Sequence, residues 1–249
     1  MISAGVDIGS RTVKLAVITN GKLTKILKRE NSFDPLAVCR EMLQSVEYDS
    51  ITATGYGRHL FASHFKCNVI SEIKAFSLGA KAIVPSCKTI LDIGGQDIKA
   101  ISLDDHGEVR KFEMNDKCSA GTGRFLEIMA MILGCDLNEF GKSALSADKV
   151  EKINSTCTVF AESEVISLLS RGAIRGNIAL GIHHSVVSRA RSMLGRIALE
   201  DDLVFAGGAA QNLCVSRLLG DSLKRNIIIP DDPQIVGAYG CALFGAKIK

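Results

Sequence analysis

The 249-residue sequence has no strong excess of charge of either sign. Thirty lysines and arginines against 27 aspartates and glutamates give a formal net charge of +3, too small to predict nucleic acid or an anionic membrane as a partner. No apolar run approaches the roughly 18 residues of a membrane-spanning helix, and no basic segment precedes an apolar core at the start, so no signal peptide is expected. We therefore expect a cytoplasmic protein.

The eight cysteines lack the spacing of a self-contained metal site. They occupy positions 39, 67, 87, 118, 135, 157, 214 and 241 and form no CxxC pair. This spacing excludes a zinc ribbon and a ferredoxin-type cluster loop, and a disulfide framework is not expected in a cytoplasmic chain of this size. Most of these cysteines are expected to be small buried apolar residues.

Two common nucleotide-binding signatures are also absent, the GxxxxGK[ST] loop and a GxGxxG turn that opens a helix. A different glycine turn occurs twice, as DIGSRTVK at 7–14 and as DIGGQDIK at 92–99. An offset of 85 residues superposes Asp7 on Asp92, and Lys14 on Lys99. Each copy is typical of a strand ending in aspartate, a glycine turn and a second strand. The repeat indicates internal duplication into two related lobes.

Glycine turns of this kind suit phosphate binding, because backbone N–H groups can approach the anion without a side chain in the way. An aspartate at the strand end can hold Mg²⁺ or its waters. A third glycine site, Gly207–Gly208 in LVFAGGAAQN at 203–212, follows a short apolar strand and precedes a helix, which suits contact with a base or sugar. One copy alone would favour plain β-turns, but two aligned copies favour a clamp on a polyphosphate.

Hydrophobic periodicity predicts an α/β chain with two successive halves, and in each half a β-rich part comes first and a part with helices follows. We place lobe one at 1–87 and lobe two at 88–230, and expect hinge motion between them. Within 231–249 a last helix should return to lobe one, and the helix at 71–84 should cross between the lobes. The predicted strands are 4–8, 12–19, 23–28, 51–54, 89–93, 97–103, 108–114, 202–206 and 226–229. The predicted helices are 34–45, 71–84, 121–133, 160–171, 177–198, 212–223 and 233–246.

Cys118 and Cys157 each precede a predicted amphipathic helix, where N–H groups and the helix dipole stabilise a thiolate. Two cysteines supply half of the ligands of a [4Fe–4S] cluster, and a two-fold dimer would supply all four. Two buried cysteines near helix starts are the alternative that the spacing alone favours. The turn Gly121-Thr122-Gly123 fits either a phosphate or ribose site or a simple bend into the helix.

Taken together, these motifs resemble those of the activators (activases) of 2-hydroxyacyl-CoA dehydratases, a group that includes ATP-binding subunits of benzoyl-CoA reductase. The resemblance extends over essentially the whole chain. Sugar kinases have similar phosphate turns but lack both cysteine segments. The segments that carry the resemblance are DIGSRTVK at 7–14, ATGYGR at 53–58, DIGGQD at 92–97, NDKCSAGTGRF at 115–125, STCTVFAESEVISLLSRG at 155–172 and GGAAQN at 207–212.

This resemblance implies an actin-like ATPase fold, built from two RNase H-like lobes around a nucleotide cleft. It implies a homodimer that shares one [4Fe–4S] cluster, ligated by Cys118 and Cys157 of each subunit. The implied activity is ATP-driven transfer of one electron, received from ferredoxin or flavodoxin, to an iron–sulfur dehydratase or reductase. The alternatives are a small-molecule kinase similar to type III pantothenate kinase, with Asp97 or Asp116 activating the acceptor, and a non-catalytic actin-like scaffold.

The resemblance also assigns roles to single residues. Asp7 and Asp92 would lie near Mg²⁺, and Gln96 would orient the attacking water. Glu162 and Glu164 would relay the nucleotide state to the cluster helix, or lie on a solvated helix face. Relatives often have histidine at the position of Phe76 and alanine at that of Ser119, so no polar role is expected for Phe76. The residues expected at ATP or ADP are Ser10, Arg11, Thr12, Val13, Lys14, Gly94, Gly95, Gln96, Gly121, Thr122, Gly123, Gly207, Gly208, Gln211 and Gln234.

Overall fold

The computed structural model describes residues 1–154, 157–200 and 202–247. These residues form two five-stranded sheets, one from each half of the chain. The first half contains the strands β1 (Ile2–Ile8), β2 (Thr12–Thr19), β3 (Lys22–Glu30), β4 (Ser50–Thr54) and β5 (Asn68–Val69), with the helices α1 (Pro35–Gln44), α2 (Arg58–Ala62) and α3 (Glu72–Ile83).

The second half is richer in helix. A short 3₁₀ helix at Gly208–Gln211 links a strand to the helix that follows. The strands are β6 (Thr89–Ile93), β7 (Ile98–Leu103), β8 (Val109–Asn115), β9 (Leu203–Ala206) and β10 (Ile227–Ile228). The helices are α4 (Gly123–Ile132), α5 (Leu137–Leu145), α6 (Thr158–Ser170), α7 (Arg175–Leu194), α8 (Leu213–Leu223) and α9 (Val236–Lys247). None of the helices in the described ranges is long and apolar enough to cross a bilayer.

The two sheets have the same strand order and the same strand directions. The first has the order β3-β2-β1-β4-β5 and the second the order β8-β7-β6-β9-β10. In each sheet the central strand pairs antiparallel with the next strand of the chain and parallel with a later one. The register places Asp7 opposite Lys14, and Asp92 opposite Lys99. This geometric repeat agrees with the duplication that the 85-residue offset predicts.

Each sheet has its own apolar core, because the central hairpins carry apolar residues on both faces. All residues of β6 and β7 are buried, as are six of the seven residues of β1. The first core includes Leu15 and Phe61, and the second includes Phe205 and the buried face of α7 around Ile182. The glycine turns that follow β1 and β6 are therefore mounted on well-packed strands.

The helices α3 and α9 pack against each other where the two halves meet. The helix α9 lies on β1, β2 and β4, whereas α3 contacts β6, β7 and β8. A Cβ atom at Gly240 would lie 1.8 Å from the carbonyl oxygen of Ala75, so this close approach requires glycine. The last helix of the chain thus lies on the first sheet, and α3 lies on the second.

Two α-helices and one strand of the structure are missing from the sequence prediction, namely α2, α5 and β5, as is the short 3₁₀ helix at Gly208–Gln211. With five and two residues, α2 and β5 are too short to produce a periodic pattern. The start of α5 does carry a signal. The Asp136 carboxylate accepts a hydrogen bond from the Glu139 N–H, and the Glu139 carboxylate accepts one from the Asp136 N–H. This capping box is visible in the sequence as D-x-x-E at 136–139.

Four predicted helix starts are wrong by two or three residues: the helices predicted from 160 and 177 begin earlier, at Thr158 and Arg175, and two others begin later. The helix predicted from 121 begins at Gly123, because Gly121 has a φ of +85° that a helix cannot contain. The helix predicted from 233 begins at Val236, so Pro233 lies before it rather than in its first turn.

Candidate functional site

A cavity of about 790 Å³ opens between the two sheets and is lined by both glycine turns. Of the residues expected at the nucleotide, Val13, Gly121 and Thr122 do not line it. Val13 and Thr122 are fully buried, and the backbone of Gly121 packs against Arg189. Side chains alternate along a strand, so Val13 faces away from the side shared by Thr12 and Lys14. The expected residues that do line the cavity are Asp7, Ser10, Arg11, Thr12, Lys14, Asp92, Gly94, Gly95, Gln96, Gly123, Gly207, Gly208, Gln211 and Gln234.

The two glycine turns are closed by the same backbone hydrogen bond. In the first turn the N–H of Gly9 donates to the carbonyl of Thr12 at 3.1 Å. In the second the N–H of Gly94 donates to the carbonyl of Asp97 at 2.9 Å. Both turns leave the intervening residues at the cavity surface. The local geometry that the sequence repeat predicts is thus present in both lobes.

The two turns lie against each other across the cleft. A Cβ atom at Gly95 would lie 2.6 Å from Cγ of Arg11, so glycine is required for the approach. The Arg11 guanidinium also forms an ion pair with Glu127 of α4 at 3.2 Å. Arg11 is half exposed, and an ion pair of this exposure contributes about 1 kcal/mol or less. The contact between the lobes at this point is therefore weak enough to open.

Lys14 extends into the cavity with one charged neighbour. Its Nζ lies 3.4 Å from Oδ2 of Asp7, and its side chain is 14% exposed. Both residues line the cavity. A cation held loosely at this place is suited to a polyphosphate, since the ammonium group is a mobile point charge on a flexible stem.

Lys99, the counterpart of Lys14 in lobe two, is enclosed by three carboxylates. Its Nζ lies 2.5 Å from Asp97, 2.7 Å from Glu72 and 2.9 Å from Asp92, and its side chain is only 2% exposed. It also lies 5.3 Å from the ring centre of Phe76. An aromatic face stabilises a cation, which gives Phe76 a role here that needs no hydrogen bond. Asp97, a candidate acceptor-activating residue for a kinase, is occupied by this ion pair.

Burial governs the charges around Lys99. It raises the pKa of both Asp92 and Glu72, and repulsion from Asp97 and Asp7 adds to this rise, although Lys99 lowers both pKa values. Burial alone would lower the pKa of Lys99, but Asp92, Asp97 and Glu72 together raise it well above its ordinary value. One oxygen of Asp92, Oδ1, is buried with no hydrogen-bond partner among the described residues. A carboxylate oxygen left without a donor is suited to a divalent cation or its waters.

The far end of the cavity is formed by the Gly207–Gly208 turn and by α5, which the sequence prediction missed. Leu137 and Asn138 of α5 line it together with Gln211 and Gln234. Leu137 is 44% exposed, unusual for a leucine in a cavity wall. An apolar side chain beside amide groups suits the face and edges of a nucleobase.

The N-terminus of α4 is joined directly to the second glycine turn. The N–H groups of Gly123 and Arg124 donate to the carbonyls of Gly94 and Gly95 at 2.9 and 2.8 Å. These helix N–H groups are therefore committed to the turn. A displacement of the second glycine turn would be transmitted to the start of α4 through backbone alone.

Cys118 and Cys157 lie outside the cavity. Cys118 lies before the start of α4 and is half-buried, with a guanidinium nitrogen of Arg189 at 3.8 Å from its sulfur. Cys157 is the N-cap residue of α6 and is exposed. The hydroxyl groups of Ser119 and Thr158, the residues that follow the two cysteines, lie 3.1 Å apart. The two cysteine segments, whose cysteines are 39 residues apart in sequence, are thus brought together at the surface.

The alternative that both cysteines are buried is wrong for this pair, and the contrast with the other cysteines is clear. Burial raises the pKa of Cys39, Cys87 and Cys214 to about 11, and that of Cys241 even further. These four thiols are fully buried and behave as small apolar residues, so half of the eight cysteines, rather than most of them, match the expectation. Within the described part of a single chain no group of three metal-binding side chains occurs.

Glu164 contacts the chain leading to Cys157 rather than the cavity. Its carboxylate accepts hydrogen bonds from the backbone N–H and the side-chain amide of Asn154, each at 3.0 Å. Neither Glu162 nor Glu164 lines the cavity. The first two residues of the second cysteine motif, Ser155 and Thr156, lie outside the described residues.

Residues 4–245 match the model of the BadF/BadG/BcrA/BcrD ATPase family. The chain belongs to this family. It is 44% identical to the activator of lactoyl-CoA dehydratase of Anaerotignum propionicum, over 98% of this chain and 97% of that protein. Its structure is similar to that of the activator of 2-hydroxyisocaproyl-CoA dehydratase of Clostridium difficile with bound ADPNP, with 38% identity, a TM-score of 0.90, and coverage of 98% and 94% of the two chains.

A second similar structure is component A of the (R)-2-hydroxyglutaryl-CoA dehydratase of Acidaminococcus fermentans. It has 36% identity and a TM-score of 0.92, with coverage of 99% of this chain and 98% of the other. The resemblance to dehydratase activators is therefore confirmed, as is the actin-like ATPase fold with its two mixed sheets. The chain is an ATP-binding member of this ATPase family.

Proposed function

We propose that this protein is an activase, an ATP-dependent donor of one electron that reduces an iron–sulfur enzyme such as a 2-hydroxyacyl-CoA dehydratase. The observation that carries the proposal is the meeting of the Cys118 and Cys157 segments at the surface, outside the nucleotide cavity, bridged by Ser119 and Thr158 at 3.1 Å. A kinase has no use for such a pair. The relatives named as activators of dehydratases support the choice of partner.

The two cysteines would provide half of the ligands of a [4Fe–4S] cluster. Cys118 and Cys157 would hold one [4Fe–4S] cluster together with the same two residues of a second subunit, since such a cluster takes four thiolates. The exposed apolar side chains of Val159, Phe160 and Ile166 on α6 support a homodimer, because they leave an uncovered apolar surface on the helix that begins directly after Cys157. The cluster would supply a one-electron carrier at low potential. The guanidinium of Arg189 would donate to one of its sulfur ligands.

The residues that line the cavity suit Mg²⁺ and a nucleoside triphosphate. Ser10, Thr12 and Lys14 would hold the terminal phosphates, while Asp7 and Asp92 would hold the metal ion or its waters. Lys14 supports this role because it is the accessible lysine of the two hairpins. Gln96 in the second glycine turn would orient the attacking water. Gly207, Gly208, Gln211 and Gln234 would contact the nucleoside.

The link between the two sites is the backbone contact of α4 with the second glycine turn. Loss of the terminal phosphate would release that turn, and α4 would carry the change to the loop of Cys118. The hydrogen bonds of Gly123 and Arg124 to the turn support this route, and it is shorter than a relay through Glu162 and Glu164. Opening of the lobes along α3 and α9 would accompany it. The electron would come from ferredoxin or flavodoxin.

Anaerobic purification followed by iron analysis tests the proposal. We expect a brown protein with about four irons per dimer. Replacing Cys118 or Cys157 with serine should remove the iron, while the matched variant Cys135→Ser, at a half-buried cysteine elsewhere in lobe two, should retain it. A colourless monomer that hydrolyses ATP would overturn the electron-transfer role. If that protein phosphorylated a small molecule, the kinase alternative would replace it.

The coupling to nucleotide is tested by anaerobic potentiometry with ADP and with a non-hydrolysable ATP analogue. We expect the two nucleotides to give different cluster potentials or different affinities for the dehydratase. For a one-electron step, about 59 mV is a tenfold change in the equilibrium constant. Equal potentials and equal affinities would argue against coupling even in a protein that carries the cluster.

A further inference from the structure

A histidine is buried beneath the nucleoside end of the cavity. His183 lies on α7, is fully buried and packs against the ring of Phe140 with centres 4.5 Å apart. Its Nδ1 is 2.7 Å from the carbonyl oxygen of Ala179, and its Nε2 is 3.0 Å from the side-chain nitrogen of Asn212. Both ring nitrogens therefore have partners.

These partners define the proton positions on the ring. A carbonyl oxygen only accepts, so Nδ1 of His183 carries the hydrogen and donates to Ala179. The Nε2 atom is then an acceptor and takes a hydrogen bond from Nδ2 of Asn212. Burial lowers the pKa of His183, which agrees with a neutral ring. A protonated ring would place a donor against the donor of Asn212.

The Asn212 amide is held from its other end as well. Its Oδ1 accepts hydrogen bonds from the N–H groups of Cys214 and Val215 at 3.0 and 3.1 Å, and so caps α8. The amide can therefore not flip without losing three hydrogen bonds. Asn212 lines the cavity directly after Gln211, one of the residues that the sequence predicts at the nucleotide.

An amide nitrogen carries two hydrogens, and His183 takes only one of those on Asn212. No second acceptor lies within hydrogen-bond distance of Nδ2 among the described residues. We propose that Asn212 is a nucleoside-binding residue whose remaining N–H donates to an acceptor of the adenosine, and that His183 is the positioning residue that fixes this amide. The inference rests on the nucleotide site of the proposed function and is independent of the iron–sulfur cluster.

The variant that separates binding from helix capping is Asn212→Asp. A carboxylate keeps an acceptor for Cys214 and Val215 but removes both amide N–H groups, the one that faces the adenosine and the one that donates to His183. We expect the Kd of Mg·ADP, measured by isothermal titration calorimetry on the full-length protein, to rise about tenfold for the loss of one buried hydrogen bond. The unfolding midpoint without nucleotide should fall only by the loss of the hydrogen bond to His183, because the cap of α8 is kept.

The role of His183 is tested with a conservative rescue. His183→Leu leaves Asn212 without its acceptor, so the Kd of ADP should rise about tenfold. His183→Gln places an acceptor oxygen near the position of Nε2 and should remain within about threefold of the wild type. His184→Leu, at the exposed neighbouring position of the same helix, is the matched control and should bind ADP normally.

Wild-type affinity for ADP in Asn212→Asp would overturn the inference. If His183→Leu does not fold, Asn212→Asp and His183→Gln decide it, because the first keeps the cap and the second keeps the acceptor. A tenfold rise in the Kd of ADP for His183→Gln would overturn the positioning role of His183. A wild-type protein that binds no ADP would overturn the proposed function as well, whereas equal affinities in all variants would overturn this inference alone.

Discussion

The two hairpins of this protein have an aspartate and a lysine paired at the same register, and the two lysines have different surroundings. In lobe one Lys14 forms an ion pair with Asp7, at 3.4 Å, and remains accessible from the cavity. In lobe two Lys99 is buried among three carboxylates, with its Nζ at 2.5–2.9 Å from each. The same motif therefore provides a candidate ligand for phosphate in one lobe and an internal ion-pair network in the other.

Two differences between the lobes account for this. The position that Thr12 occupies in lobe one is Asp97 in lobe two, which brings a second carboxylate onto the hairpin itself. The third carboxylate, Glu72, comes from the start of α3, which packs against the second sheet. A buried cation surrounded in this way is held in place and is poorly suited to follow a phosphate. Duplication thus conserved the backbone turn while the chemistry of its lysine diverged.

The largest expected effect is on stability, from Lys99→Met. This change leaves Asp92, Asp97 and Glu72 buried around a missing cation, so the free energy of unfolding should fall by about 3–5 kcal/mol. The comparison variant Lys14→Met removes one longer contact with Asp7 and should cost about 1–2 kcal/mol. Urea unfolding of both proteins measures the difference. Equal losses would show that the two lysines have the same structural role.

The second effect is on ATP hydrolysis, for which we expect the lysine of lobe one to matter more than that of lobe two. Lys14→Met removes a cation from the proposed phosphate site, and we expect kcat/KM for ATP hydrolysis to fall about 100-fold. Lys22→Met, at an exposed position on the edge strand β3, is the control and should hydrolyse ATP normally. Steady-state phosphate release gives both values. Normal hydrolysis by Lys14→Met would remove this lysine from the catalytic site.

The third effect concerns two glycines that occupy equivalent places, Gly55 after β4 and Gly207 after β9. Their φ angles are +90° and +86°, and a Cβ atom would lie 2.5 Å from the carbonyl of Ile8 or 2.3 Å from that of Ile93. Gly55→Ala and Gly207→Ala should therefore each cost about 1–3 kcal/mol of stability. Only Gly207→Ala should also weaken ADP binding. Calorimetry that finds equal losses of affinity would contradict the assignment of the nucleoside to lobe two.

Local patterns predicted the hairpins, whereas contacts between distant segments decided their chemistry. The repeat of Asp7 and Lys14 at Asp92 and Lys99 is readable in one line of sequence, and the fold carries it in the same register. The approach of Glu72 to Lys99 depends on how α3 crosses between the sheets, which no local pattern encodes. Similarly, the capping box of α5 is visible in the sequence, but its position at the nucleoside end of the cavity is not.

The smallest effect is the pH dependence that the network of Lys99 gives to lobe two. Burial raises the pKa of Glu72, so its contribution to stability is fully present below the unfolded value of about 4.3 and is lost as pH rises through the folded pKa. Lys99, whose pKa is raised, stays charged throughout this range. Glu72→Gln should therefore gain stability relative to the wild type in urea unfolding as pH rises above about 4.3. If the stability difference between Glu72→Gln and the wild type did not change with pH, or if the variant lost stability, the attraction of Lys99 would outweigh the cost of burying the Glu72 carboxylate. The ion pairs of Lys99 would then stabilise lobe two.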